Sequence, residues 1–124
     1  MVHDDLTGKV LGACFEVSNE LGSGFLESVY EKALLVALTD VGLQADSQVP
    51  LKVVYRNKVV GDFFADIVVE GTVLLELKAV KALAPEHIAQ VLNYLKATGI
   101  EVGLLVNFGS PKLQYRSLGN RLIA

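Results

Sequence analysis

The sequence predicts a single α/β domain in which a mixed β-sheet is flanked by helices. Its 124 residues suit one domain, and 52% of them are hydrophobic, which favours a folded core over a disordered chain. The apolar pattern is helical at first, alternating in the middle, and then helical and strand-like again. The predicted element order is α-α-β-β-β-α-β, and no linker-like segment divides residues 1–124 into further domains.

Two helices are predicted at the start of the chain. Thr7 is the expected N-cap of the first helix, and Gly22 breaks it. The second helix ends near Gly42, which can adopt the left-handed conformation of a helix C-terminus. We interpret Cys14 as a core residue rather than a nucleophile, because it lies on the apolar stripe of the first helix. The predicted core-facing residues are Val10, Cys14, Val17 and Leu21, followed by Leu26, Val29, Tyr30, Ala33, Leu34 and Ala37.

Three strands are expected next, over residues 49–55, 59–69 and 72–80. Turns at residues 56–58 and 70–71 join them, so they can pair as an antiparallel meander. These strands are rich in β-branched and aromatic residues, which is typical of a pleated and partly buried sheet.

A third helix is predicted from Pro85 to about Thr98, because proline is accepted in a first helical turn and Gly99 can close the helix. A buried strand over residues 101–108 follows, and residues 113–123 are a candidate for one more. A strand that follows a helix can join the sheet in parallel, which makes the predicted sheet mixed.

Composition excludes several classes of protein. The 11 basic and 14 acidic residues give a net charge of −3, which argues against a broad basic surface for non-specific nucleic-acid binding but not against a local site. A single cysteine excludes an internal disulfide and a cysteine-based zinc site. The acidic start does not resemble a signal peptide, and no apolar run is long enough to span a membrane. We therefore expect a soluble cytoplasmic protein with no membrane partner.

Charged residues occur inside two of the apolar strands. Asp66 lies in the second strand, while Glu76 and Lys78 share one face of the third. If these strands form a hairpin, Asp66 can lie across from Glu76 on that face. Desolvating such groups costs several kcal/mol unless they are paired or bind a metal. Two carboxylates offer the hard oxygen ligands that Mg²⁺ or Mn²⁺ prefers, and a lysine adds a compact charge near a phosphate.

For either strand alone, a structural explanation is sufficient. Glu76 and Lys78 can form an ion pair, Asp66 can lie on a solvated face, and edge strands often carry charges that oppose aggregation. Glu27, at the start of the second helix, also has two interpretations. With Gly24 as N-cap it would occupy the third helical position and stabilise the helix dipole, or it could bring a third carboxylate to a metal.

One face of the third helix carries His87, Gln90, Val91 and Tyr94 at helical spacing. Gln90 and Tyr94 offer hydrogen-bond donors and an aromatic ring that suit a phosphate or a base. They are equally compatible with a polar rim around the core, and a single histidine such as His87 is more often an ordinary surface residue.

Taken together, these residues resemble the PD-(D/E)XK nuclease superfamily: a helix with Glu27, a strand with Asp66, a strand with Glu76-x-Lys78, and a helix with Gln90 and Tyr94. More narrowly, residues 24–30 resemble the signature of the GxxExxY proteins of that superfamily. The similarity extends through residues 48–51, 65–69, 76–80, 87–95 and 103–108. One departure is Ser18, where members of the family often carry a histidine.

The resemblance implies a restriction-endonuclease-like core and a phosphodiesterase site that uses Mg²⁺ or Mn²⁺. It assigns Asp66, Glu76, Glu27 and the Leu77 carbonyl as metal ligands. Lys78 would stabilise or position the attacking hydroxide, and Gln90 would orient the site. Substrate contacts would come from the remaining candidates on the third helix, Tyr94 and His87.

Two main functional hypotheses result. The first is a Mg²⁺- or Mn²⁺-dependent nuclease that hydrolyses a nucleic acid, for which we rank DNA above RNA as the candidate. The second is a non-catalytic nucleic-acid-binding or regulatory module that retains the nuclease fold, which the net acidity favours. A third hypothesis, a small-molecule binding protein with coincidental acids, predicts no metal binding at this cluster. The high apolar fraction also suits a buried contact in a homodimer or homo-oligomer.

Overall fold

The computed structural model describes residues 3–120, and three helices and five strands are formed within that part of the chain. The elements are α1 (Asp4–Leu21), α2 (Glu27–Asp40), β1 (Ala45–Tyr55), β2 (Lys58–Val69), β3 (Val73–Lys78), α3 (Pro85–Thr98), β4 (Val102–Asn107) and β5 (Gln114–Gly119). The predicted order is confirmed, and the candidate last strand forms as β5. Residues 121–123 of that predicted strand lie outside the described residues.

The five strands form one mixed sheet whose spatial order follows the chain order, β1-β2-β3-β4-β5. Strands β1, β2 and β3 form the predicted antiparallel meander. After α3 crosses one face of the sheet, β4 joins β3 in parallel, and β5 then pairs antiparallel with β4. The predicted single α/β domain with a mixed sheet and flanking helices is therefore confirmed.

Helices cover both faces of the sheet. Successive side chains of a strand point to opposite faces, and apolar side chains are buried on each of them. On one face, α1 and α2 pack with buried residues of the sheet such as Ile67, Leu75 and Leu104. On the other, α3 packs with Val68, Leu74 and Leu105. Glu76 has the same parity as Leu74 on β3, which places it on the face that α3 covers.

Two predictions about the first helices need correction. Helix α1 begins at Asp4 with His3 as its N-cap, and the Thr7 amide donates to the His3 carbonyl, so Thr7 lies inside the helix rather than capping it. In α2 the buried residues are Tyr30, Leu34 and Leu38. Leu26 and Val29 are exposed instead, because the helix begins only at Glu27 and turns that side toward solvent.

The predictions for Cys14, Gly42 and Gly99 are confirmed. Cys14 is buried in the core beside α2, and burial raises the pKa of its thiol to about 12, which keeps it protonated and unreactive. Gly42 and Gly99 follow α2 and α3 with positive φ angles of 80° and 76°. Among the helices of residues 3–120, none combines the length and apolar character that crossing a membrane requires.

Candidate active site at the fork between two strands

The candidate site lies where β3 separates from β2. The paired positions of these strands end at Ile67 and Leu75, while β3 continues beside β4 as far as Lys78. The next residues past the last pair are Asp66 and Glu76. The Asp66 amide donates to Glu76 Oε1 at 3.1 Å, and the Leu77 amide donates to Asp66 Oδ2 at 2.8 Å. Each carboxylate thus accepts from the backbone of the opposite strand.

Glu76 is the buried acid of this pair, with 4% of the residue exposed. Burial raises its pKa to about 8, and repulsion from Asp66 adds to that effect, whereas the hydrogen bond from the Asp66 amide and the charge of Lys78 oppose it. Without a further cation, the protonated form of Glu76 is therefore favoured at neutral pH. A cation bound beside Glu76 would favour its ionised form instead.

Lys78 is oriented by the third helix. Its Nζ donates to Gln90 Oε1 at 3.1 Å, and Gln90 Nε2 donates to the Tyr94 hydroxyl at 3.3 Å. Burial and the nearby charge of Glu76 raise the pKa of Tyr94, which keeps its hydroxyl neutral. The structure thus brings Gln90 and Tyr94 together with Lys78, in a chain of hydrogen bonds that runs from α3 to the end of β3.

Glu27 approaches the site from α2, which packs on the face of the sheet opposite to α3. It is the first residue of α2, with Leu26 as N-cap and no side-chain hydrogen bond at the cap, so the prediction that Gly24 caps the helix and Glu27 fills its third position is wrong. Partial burial and repulsion from Asp66 raise the pKa of Glu27, while the charge of Lys78 lowers it. Glu27 therefore lies within electrostatic range of both Asp66 and Lys78.

Tyr30 fixes the segment that delivers Glu27. Its hydroxyl donates to the Gly22 carbonyl at 2.6 Å and accepts from the Phe25 amide at 3.2 Å. Its ring stacks on Phe108 with centroids 4.7 Å apart. Tyr30 is buried as predicted, and its position three residues after Glu27 puts both on one side of the helix.

Two further residues near the fork were not predicted as site residues. Gln48 stands where the β1–β2 pairing is interrupted, opposite Asp66, and has a φ of 51°. Its Nε2 donates to Glu31 Oε1 at 2.8 Å. Burial raises the pKa of Glu31, and repulsion from Asp66 adds to the rise. The four-residue spacing from Glu27 is the sequence signal that could have identified Glu31.

The segment after Lys78 is held by contacts with residues 107–109. The buried Asn107 side chain accepts from the Val80 amide at 3.0 Å and donates to the Val80 carbonyl at 2.9 Å. The Phe108 amide donates to the Lys78 carbonyl at 2.8 Å. Gly109 approaches so closely that a Cβ there would lie 2.3 Å from Val80 backbone atoms. The end of β3 is therefore held at Lys78 and Val80 by the chain segment that ends β4.

The remaining predicted residues have structural contacts. His87 Nδ1 accepts from the Ala84 amide at 3.0 Å, so this ring satisfies a free amide at the start of α3. The Leu77 side chain is buried in the core beneath α1 and α2, which leaves only its backbone at the fork. Within residues 3–120, no three His, Cys, Asp or Glu side chains converge as a metal-binding group, and the two carboxylates that meet at the fork are those of Asp66 and Glu76.

Comparison with known proteins bears on the family and the fold of this chain. The sequence matches the family model of the PD-(D/E)XK nuclease superfamily over residues 4–118. Among solved structures, the crystal structure of SSO0001 is similar, with a TM-score of 0.59 and 17% sequence identity over 76% of this chain and 50% of that one. This chain thus spans half the length of SSO0001, and at that identity the likeness concerns the fold alone. No curated protein matches the sequence.

The fold and the family match lead to the same assignment. The five-stranded mixed sheet with flanking helices is consistent with a restriction-endonuclease-like core, and the matched residues include every element that carries a candidate site residue. The chain therefore belongs to the PD-(D/E)XK nuclease superfamily.

Proposed function

We propose that this protein is a Mg²⁺- or Mn²⁺-dependent nuclease that hydrolyses phosphodiester bonds of nucleic acid, with DNA as the first candidate substrate and RNA as the second. The observation that carries the proposal is the fork, where the buried Glu76 faces Asp66 and Lys78 follows two residues later. Two carboxylates beside a lysine suit the hydrolysis of a phosphodiester, in which water attacks the phosphate and negative charge develops on its oxygens. Membership of the superfamily supports the same chemistry.

The residues at the fork fit a hard divalent cation. Asp66, Glu76 and the Leu77 main-chain carbonyl would hold it, and Glu27 is the candidate for a further oxygen ligand. Mg²⁺ is commonly held by one or two carboxylates together with water and substrate phosphates, so a third carboxylate is not required. When bound, such an ion polarises the scissile phosphate and lowers the pKa of a water molecule.

The protein's own groups would act on the substrate around that ion. The Lys78 ammonium would stabilise negative charge that develops on the phosphate oxygens. Gln90 would keep Lys78 in position, since its Oε1 accepts from Nζ. Tyr94 would act one step further away by supporting Gln90. His87 is a weaker candidate for substrate contact, because its Nδ1 is already engaged at the start of α3.

A non-catalytic nucleic-acid-binding or regulatory module is the second candidate. The observation that favours it is that only two carboxylates converge at the fork in the described part of the chain. In this case the protein would retain the fold and bind metal weakly, but it would not turn over substrate.

Turnover separates the two candidates. We expect wild-type protein with Mn²⁺ or Mg²⁺ to cleave at least one of four substrates, single- or double-stranded DNA or RNA. Asp66→Asn, Glu76→Gln and Lys78→Met should each reduce the rate by at least about a hundredfold, the range seen when one electrostatic group is removed from an active site. Asp62→Asn is the matched control, because Asp62 is an exposed acid on the same strand that pairs with Lys52.

Two results would contradict the proposal. Cleavage by Asp66→Asn or Glu76→Gln at the rate of the Asp62→Asn control would remove these residues from the site. Absence of cleavage of all four substrates by wild-type protein, when the same sample binds metal, would favour the non-catalytic module.

A further inference from the structure

A groove of about 830 Å³ runs between α3 and the outer half of the β1–β2 hairpin. This volume lies within the range of about 300–1,000 Å³ that is typical of ligand sites. The hairpin contributes mainly apolar side chains, and α3 contributes mainly polar ones. The residues that line the groove include Lys52, Phe63, Glu86, Gln90, Tyr94 and Lys96.

The groove lies next to the candidate active site. Gln90 and Tyr94 line the groove, and Gln90 also accepts the hydrogen bond from Lys78. Val60 lines the groove nearer the hairpin tip. It precedes Asp66 by six residues on an extended strand, so the groove reaches about 20 Å from the fork. An elongated ligand in the groove would therefore end at the catalytic groups.

An exposed aromatic ring lies in the middle of this groove. Phe63 is 44% exposed, and its ring centroid is 5.7 Å from that of Tyr94. Gly61 makes room for the ring, because a Cβ at that position would lie 2.8 Å from Phe63 Cε2. A half-exposed aromatic ring among apolar side chains is a surface on which a nucleic-acid base can stack.

The charges at the groove favour an unpaired strand over a duplex. Lys52 and Lys96 line it together with one acid, Glu86. Lys52 Nζ lies 3.1 Å from Asp62 Oδ1. Because this ion pair is exposed to solvent, it holds the Lys52 side chain only weakly. A duplex hides the faces of its bases and is bound chiefly through phosphates, whereas the bases of a single strand can also stack on the exposed ring of Phe63.

We infer that this groove binds single-stranded nucleic acid, or the unpaired end of a duplex, and leads it to the fork. Bases stack on Phe63 and the apolar side chains of the hairpin, while Lys52 and Lys96 contact phosphates. The inference rests on the proposed nuclease function and names the substrate class for that site.

Binding to a labelled oligonucleotide in the presence of EDTA tests the inference without cleavage. Fluorescence anisotropy of a 5′-labelled single strand of about twelve nucleotides should show tighter binding than the same strand annealed to its complement. Phe63→Ala should weaken single-strand binding by about tenfold, since stacking on one aromatic ring contributes about 1–3 kcal/mol. Phe64→Ala is the matched control, because Phe64 is 56% exposed on the opposite side of the same strand and should change affinity less than about twofold.

Salt dependence tests the phosphate contacts. For a single strand, each neutralised phosphate contributes a slope of about −0.7 to the logarithm of affinity against the logarithm of salt concentration. Lys96→Gln should therefore reduce the slope by about 0.7. Lys9→Gln, an exposed lysine of α1 on the other side of the sheet, should leave the slope unchanged.

Several outcomes would overturn the inference while leaving the proposed nuclease intact. These are duplex binding at least as tight as single-strand binding, equal effects of Phe63→Ala and Phe64→Ala, or no single-strand binding up to about 100 μM, the weak end of non-specific affinity. A monomer–dimer shift in Phe63→Ala by analytical ultracentrifugation would instead assign the groove to a second copy. Single-strand binding that depends on Phe63, without cleavage of any substrate, would support the groove and contradict the nuclease.

Discussion

At the scale of single residues, Glu76 determines how the site responds to pH. Burial beside Asp66 destabilises its ionised form and raises its pKa to about 8. The folded metal-free protein therefore binds a proton more tightly than the unfolded chain, in which a glutamate has its ordinary pKa near 4.5. Ionisation of Glu76 with rising pH thus opposes folding.

The metal-free protein should lose stability as pH rises from about 4.5 to 8. Each unit of difference between the folded and unfolded pKa corresponds to about 1.4 kcal/mol, so the loss should amount to a few kcal/mol. Glu76→Gln should remove most of this loss and be more stable than wild type at pH 8. Urea denaturation in EDTA measures both effects, and Glu20→Gln, at an exposed acid of α1, should keep the wild-type slope. Equal pH profiles for wild type and Glu76→Gln would contradict the assignment.

The sequence predicts which side chains meet at the site where strand alternation and a hairpin determine the geometry. Asp66 and Glu76 meet at the fork as predicted, because the tight turn at residues 70–71 sets the register. Gln48 could not be predicted in the same way. Its left-handed φ arises from the interruption of the β1–β2 ladder, and its sequence neighbours do not encode that interruption.

At the scale of elements, the entry to α2 depends on Tyr30. Helix α1 ends at Leu21, and the chain then turns within five residues to place Glu27 at the start of α2. The Tyr30 hydroxyl joins Gly22 and Phe25 across this turn. The position of Glu27 at the site is therefore coupled to a buried hydroxyl on its own helix.

Tyr30→Phe should destabilise the protein by about 1–2 kcal/mol, because the ring stacking on Phe108 remains while two backbone groups lose their partner. Hydrogen exchange of the amides in residues 22–26 should increase at the same time. Tyr115→Phe, at an exposed tyrosine of β5, should show neither change. Wild-type stability and exchange in Tyr30→Phe would show that the hydroxyl does not fix this turn.

The bounds of an element could be predicted only where the residues at its ends strongly favour the start or the end of a helix. Helix α3 has the predicted bounds, since Pro85 begins it and Gly99 ends it. Helix α1 begins earlier than predicted, after His3, which has a left-handed conformation and makes no side-chain capping hydrogen bond, and histidine is not a preferred N-cap residue. Glu27 could not be placed relative to the fork by sequence spacing, since its position depends on how the turn after α1 packs.

At the scale of the whole molecule, chain order explains why the site is assembled from distant segments. The meander brings Asp66 next to Glu76, the crossover through α3 brings Gln90 to Lys78, and the parallel strand β4 supplies Asn107. The sequence predicted the mixed sheet but not the groove, which depends on the distance between the hairpin and α3. The homodimer or homo-oligomer expected from composition stays a prediction.

The most direct test of the central claim is the melting temperature of the protein against Mn²⁺ and Mg²⁺. At a metal concentration of about 100 times Kd, binding to the folded state should stabilise wild type by about 2.7 kcal/mol, which raises the melting temperature by several degrees. Asp62→Asn should show the same increase, and Asp66→Asn should show none. No increase in wild type at millimolar metal, or an equal increase in Asp66→Asn, would contradict the claim that the fork between β2 and β3 is a metal site.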